Sequence, residues 1–228
     1  MRVVFQAELD RLSAELGDMC ELVADIMQCA TAALVRADME PAKQVTVDLQ
    51  RLDKLNGCVN DRAFAVLALQ APVAHDLRVV VSAIQIAADA DRMGGLAANV
   101  AKVARRHHPE MAVPPEAIDH FTEMGRIAVE LANHLHIAVL NGDAELARRI
   151  RDDDAVMEGL HAQLFTLASD GRWTHGSAAA ADMILLGRFY GRFADHAAEI
   201  ARRVVFQERG RIPSPDGDPL LIQPTGKV

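Results

Sequence analysis

Residues 190–203 read YGRFADHAAEIARR, and residues 90–102 read ADRMGGLAANVAK. With Arg92 set over Arg192 the two segments run in step. Ala97 and Ala98 fall on Ala197 and Ala198, and Lys102 on Arg202. Asp91 falls on Gly191, whereas Gly95 falls on Asp195. Each segment thus keeps one of two carboxylates four residues apart, and the two segments keep opposite ones. The chain is internally duplicated, and its halves have diverged at acidic positions.

The sequence around these twins is helical in pattern. Residues 4–36 carry Leu9, Leu12, Leu16, Met19, Val23, Ile26, Ala30 and Ala33 at steps of three and four, the spacing of a helix buried on one side. Asp38 to Pro41 forms a turn, with Pro41 suited to a first helical position. A second helix is expected over 41–69. Ala71-Pro72 restarts the chain, and a third helix is expected over 73–106, ending at His107-His108-Pro109 as an exposed helix end. Pro114-Pro115 opens a fourth helix over 115–140. Asn141-Gly142 stops it, and Asp143 is placed to cap a fifth over 143–168. A sixth spans 177–208. The residues from Gly210 on contain Pro213, Pro215, Pro219 and Pro224 and read as an irregular tail. The twins close the third and sixth helices. The expected fold is therefore all-α, a tandem repeat of two three-helix bundles built from six long helices. The domains are expected at 1–110 and 111–209, with 210–228 as the tail.

Aromatic residues make up only 4% of the chain, which disfavours a strand-rich fold. The net charge of −8 excludes a basic nucleic-acid-binding face. No apolar run approaches the roughly 20 residues that span a bilayer, and the N-terminus lacks the pattern of a secretory signal. Cys20, Cys29 and Cys58 form no Cys-x-x-Cys pair and read as free thiols of a reducing, cytoplasmic compartment.

Chemistry concentrates on the acidic positions. Residues 49–55, LQRLDKL, align with residues 154–160, DAVMEGL, so that Leu49 matches Asp154 and Asp53 matches Glu158. Positions four apart share a helix face, and two adjacent helices can pool such pairs. The first half then offers Asp53 and Asp91. The second offers Asp154, Glu158 and Asp195, with His161 and His196 nearby, a set suited to iron, zinc or manganese. The same residues also fit a solvated acidic face. Glu158-x-x-His161 has the spacing of di-iron bundles, but a second copy is missing, which counts against the alternative of a metal-carboxylate store or oxidase. Gly94, Gly95 and Gly191 lie within helices and are expected where helices approach closely. No phosphate loop, dinucleotide fingerprint or nucleophile frame is found.

At this point the chain resembles the PhoU family over about residues 1–210. Residues 67–86, LALQAPVAHDLRVVVSAIQI, resemble its Gln-x-Pro-x-x-x-Asp-Leu-Arg block. Residues 90–102 and 187–206 resemble its two Asp-rich helical segments. The resemblance implies two PhoU-type three-helix bundles and a cytoplasmic regulator, not an enzyme. Such a regulator restrains phosphate uptake and phosphate-starvation signalling as an adaptor between the phosphate ABC transporter and a sensor histidine kinase, as a homodimer. It implies iron or zinc on acidic pairs that fall here on Leu49/Asp53, Asp91/Gly95, Asp154/Glu158 and Gly191/Asp195. Three of these four have lost a carboxylate, so the surviving candidate is Asp154, Glu158 and Asp195 in the second half. Asp76 and Arg78 are the candidates for contact with a partner.

Overall fold

A computed structural model describes residues 2–150, 154–171 and 173–210, with side chains from residue 5 and, after the first gap, from residue 156. The expected tail falls on 211–228, outside the described residues. The elements are α1 (Arg2–Arg36), α2 (Met39–Gln70), α3 (Ala74–His107), α4 (Pro115–Asn141), α5 (Ala144–Ile150), α6 (Asp154–Ser169) and α7 (Gly176–Arg209). No strand occurs among the described residues. The run expected as one fifth helix is described as α5 and α6, on either side of residues 151–153.

The stripe read from α1 is the core itself: Leu12, Val23, Ile26, Ala30 and Ala33 are fully buried. Asp38 caps α2 by accepting a hydrogen bond from the Glu40 N–H at 3.0 Å. Pro41 is therefore the third helical residue and not the first. Asp143 accepts from the N–H groups of Glu145 and Leu146, which fixes the start of α5. Gly142 and Gly210 end α4 and α7 at positive φ, 62° and 68°, conformations that a side chain disfavours.

Helices α1, α2 and α3 pack mutually, as do α4, α5 and α7, with α6 against α4 and α7. The two groups meet through α1 on α4 and α3 on α7, and one apolar core runs through both. Helix α1 sits at the centre because Ala24, Ala30, Ala33 and Gly17 let its neighbours approach closely. A Cβ on Gly17 would fall 2.7 Å from the Leu140 side chain of α4. Likewise, Gly125 of α4 lies on Thr31 of α1, whose hydroxyl bonds to the buried Tyr190 hydroxyl of α7 at 2.8 Å.

Helices α3 and α7 run antiparallel, and polar links mark the seam. His75 Nδ1 lies 3.1 Å from the Gln207 carbonyl, and Arg78 Nε donates to the same oxygen at 3.3 Å. Midway, His196 Nδ1 lies 2.9 Å from Asp89 Oδ1. At the far end Asp182 takes Arg106 at 2.5 Å and His107 at 2.9 Å. His107 and His108 are thus not a free helix end: His108 Nδ1 also lies 3.2 Å from the Ala37 carbonyl.

Candidate functional site: three acidic surfaces on a helical scaffold

The first surface is formed where α2 faces α3. Gly94 permits it: a Cβ there would stand 2.3 Å from Leu52 Cδ2, so the helices touch at this turn. Gly95 and Gly191 differ from expectation, since a Cβ at either meets nothing within 4 Å. Close packing accounts for one glycine of the three. On the solvent side of this contact Asp91 and Asp53 are near enough to repel. Partial burial and the Asp53 charge push the Asp91 carboxyl above the usual range, and Arg92 partly offsets them.

The second surface is the second-half candidate, which the helices only partly assemble. Asp154 opens α6, and its side chain lies outside the described residues. Glu158 is exposed. Asp195 is turned to its own helix, 3.6 Å from Arg192. His161 lies flat on Gly187, its Cδ2 2.8 Å from where a Cβ would stand, and its buried Nε2 has no hydrogen-bond partner. His196 is committed to Asp89. Among the described residues no three His, Cys, Asp or Glu side chains gather as a metal would require. The described donors therefore do not make up an iron or zinc site, and no chemistry is derived through one.

The third surface was not singled out from sequence. A groove of about 610 Å³ between α1 and α2 is lined by Asp18, Glu21 and Asp25 on one side and Arg51 and Lys54 on the other. Asp48 lies buried beside it, held by Gln44 at 2.9 Å and Arg51 at 2.9 Å. Burial, Glu21 and Asp48 raise the Asp25 carboxyl, while Arg51 opposes them. Burial, Asp48 and Asp25 raise the Cys29 thiol, and burial alone pushes Cys20 up to about 12. Neither thiol is poised for nucleophilic chemistry. The signal for this groove was present in the i, i+3, i+7 spacing of Asp18, Glu21 and Asp25.

Of the two partner-contact candidates, Arg78 has an internal task. Its cation and His75 sit on the carbonyl end of α7, where a positive charge is favoured. Asp76 lines a separate pocket of about 290 Å³ with Asp10 of α1, Leu140 of α4 and Glu208 of α7. No described helix is long and apolar enough to cross a membrane.

The architecture defines a duplicated three-helix-bundle protein that carries acidic and apolar surfaces and no assembled catalytic centre among the described residues. The PhoU domain profile matches residues 16–104 and again 121–204, and the chain belongs to the PhoU family. It is 52% identical to the Mycobacterium tuberculosis phosphate-specific transport system accessory protein PhoU homolog 2, over 93% of this chain and all of that one. It is 49% identical to the Mycobacterium leprae PhoU homolog 1, over 96% of this chain and 99% of the relative. The crystal structure of PhoU from Pseudomonas aeruginosa superposes with a TM-score of 0.82 at 25% identity, covering 90% of this chain and 99% of that one.

Proposed function

We propose that this chain is a cytoplasmic, non-enzymatic accessory protein of phosphate transport. It restrains phosphate uptake and the phosphate-starvation response by docking between the phosphate ABC transporter and its sensor histidine kinase. The observation that carries this reading is the PhoU domain matched twice, in order, across one continuous scaffold, together with 52% identity over nearly full length to a transport-system accessory protein. The physical character of the molecule agrees. Long helices give broad surfaces, and a net charge of −8 gives a field that steers basic partners and weakens as salt rises.

The test is deletion under abundant phosphate. The expected result is raised alkaline phosphatase and transporter expression, restored by the intact gene. Unchanged expression would sink the reading. Mycobacterium tuberculosis has both a homolog 1 and a homolog 2, so the deletion is made with every PhoU paralogue of the host removed.

A further inference from the structure

The end of the α2–α3 hairpin is apolar on the outside. Leu69 is 78% exposed, Val73 73% and Phe64 61%, and Leu77 and Val81 are exposed as well. Ala65, Ala68, Ala71 and Ala74 between them are exposed too. The register makes this one surface. The contact of Leu49 and Leu52 with Gly94 fixes how the antiparallel helices lie, and counting toward the connection brings Phe64 level with the turn that holds Val81. Val73 caps the start of α3, and Leu77 and Val81 follow it at steps of four. Single exposed apolar residues are ordinary, but a contiguous group at the tip of a hairpin marks a contact surface. The connection is also held in left-handed backbone at two alanines, Ala71 (φ 43°) and Ala74 (φ 51°), a strain that needs a reason.

The charges around the tip select the occupant. Both nearby arginines are already engaged. Arg62 is clamped by Glu15 at 2.8 Å and Glu8 at 2.6 Å, and Arg78 by the Gln207 carbonyl. The nearby acids are not engaged: Asp61 and Asp76 make no hydrogen bond or ion pair. Farther along stand Asp53 and Asp91, which repel each other, with the Arg92 charge partly offsetting them. At the tip itself, an apolar centre with unpaired carboxylates and both arginines engaged complements a cationic amphipathic segment. It disfavours an acidic partner and an anionic lipid surface alike.

We infer that the Phe64–Val81 hairpin tip is a docking surface for an amphipathic, Lys/Arg-bearing helix of a partner protein. The inference deepens the adaptor reading and rests on it only for which partner is used in the cell.

The probe is a synthetic leucine–lysine amphipathic helix of about 18 residues, fluorescently labelled, with a leucine–glutamate helix of equal length as control. Titration against the full chain by anisotropy gives the affinity. Leu69→Ser/Val73→Ser should weaken binding of the lysine peptide by about tenfold or more, because exposed apolar anchors dominate such contacts. Asp61→Asn/Asp76→Asn should weaken it at low salt and flatten its salt dependence. Phe165→Ser, which removes an equally exposed phenylalanine from α6, should leave it unchanged. Leu69, Val73 and Phe165 are more than half exposed, Asp61 is exposed and Asp76 partly so, and circular dichroism and melting should match the parent.

Three results would overturn the proposal. One is equal binding of the glutamate peptide. Another is an unchanged affinity in the Leu69/Val73 variant, or a fall matched by Phe165→Ser. The third is a Leu69/Val73 variant that loses only self-association in sedimentation, which would assign the tip to a second copy of the chain. The assay needs no phosphate signalling, so its failure leaves the regulatory reading standing. Unchanged phosphatase expression would conversely leave the peptide result intact.

Discussion

Asp89 Oδ1 and His196 Nδ1 lie 2.9 Å apart, and each side chain is less than 15% exposed. They come from α3 and α7 and tie the two halves together at the middle of the seam. Removing either leaves the other half-buried without its partner. His196→Ala and Asp89→Ala should each lower unfolding free energy by about 1–3 kcal/mol. The double variant should cost clearly less than the two together, because one interaction is lost once. Urea denaturation of the four proteins checks this, and full additivity would mean that the pair is not coupled.

The glycines of the third helix should separate sharply. Gly94→Ala drives a Cβ into the buried Leu52 and should destabilise by about 1–3 kcal/mol. Gly95→Ala meets open space and should stabilise by up to about 1 kcal/mol, through helix propensity alone. Thermal melts of both variants read the contrast.

Asp91→Asn should stabilise the protein at neutral pH by roughly a few tenths of a kcal/mol, the scale of exposed charge interactions. The sign follows from the direction of the shift. A carboxyl whose folded pKa is raised disfavours the fold when ionised. That cost is complete above the folded pKa and disappears as pH falls below the unfolded one. The advantage of the asparagine variant should therefore shrink on acidification through the carboxylate range. A gain that grows instead would refute the assignment.

Thr31→Val should cost about 1–3 kcal/mol although it preserves shape. The Tyr190 hydroxyl, fully buried, would lose its partner, and burial already pushes its ionisation well above the ordinary range. Pairing Thr31→Val with Tyr190→Phe should recover most of the loss, since neither polar group then remains unmatched.

For metal, the described donors alone make up no site, so any iron or zinc that copurifies without chelator should depend on Asp154 together with Glu158 and Asp195. Elemental analysis of Glu158→Ala/Asp195→Ala against Asp53→Ala/Asp91→Ala decides the matter. Metal lost only with Asp53 and Asp91 would place the site in the first half instead.

The sequence by itself determined the helices and their duplication. Steps of three and four from Leu9 to Ala33, the Asp143 cap and the Gly142 and Gly210 stops act within a turn or two, so local spacing suffices to read them. It also showed the acidic positions that separate the halves. Only the tertiary structure decided what those residues meet. Asp89 and His196 are distant in the chain and become neighbours because α3 packs on α7. The same packing turned His107 from an expected free end into a partner of Asp182, and gave Arg78 the carbonyl end of α7. Gly94 and Gly95 are identical as letters, yet only Gly94 faces α2. The hairpin tip is another such case. Leu69, Val73 and Leu77 are apolar by letter, and only the packed helices show that they stand exposed. Side-chain chemistry fixes what a residue can do, but the rotation and register of remote helices fix which group it finds.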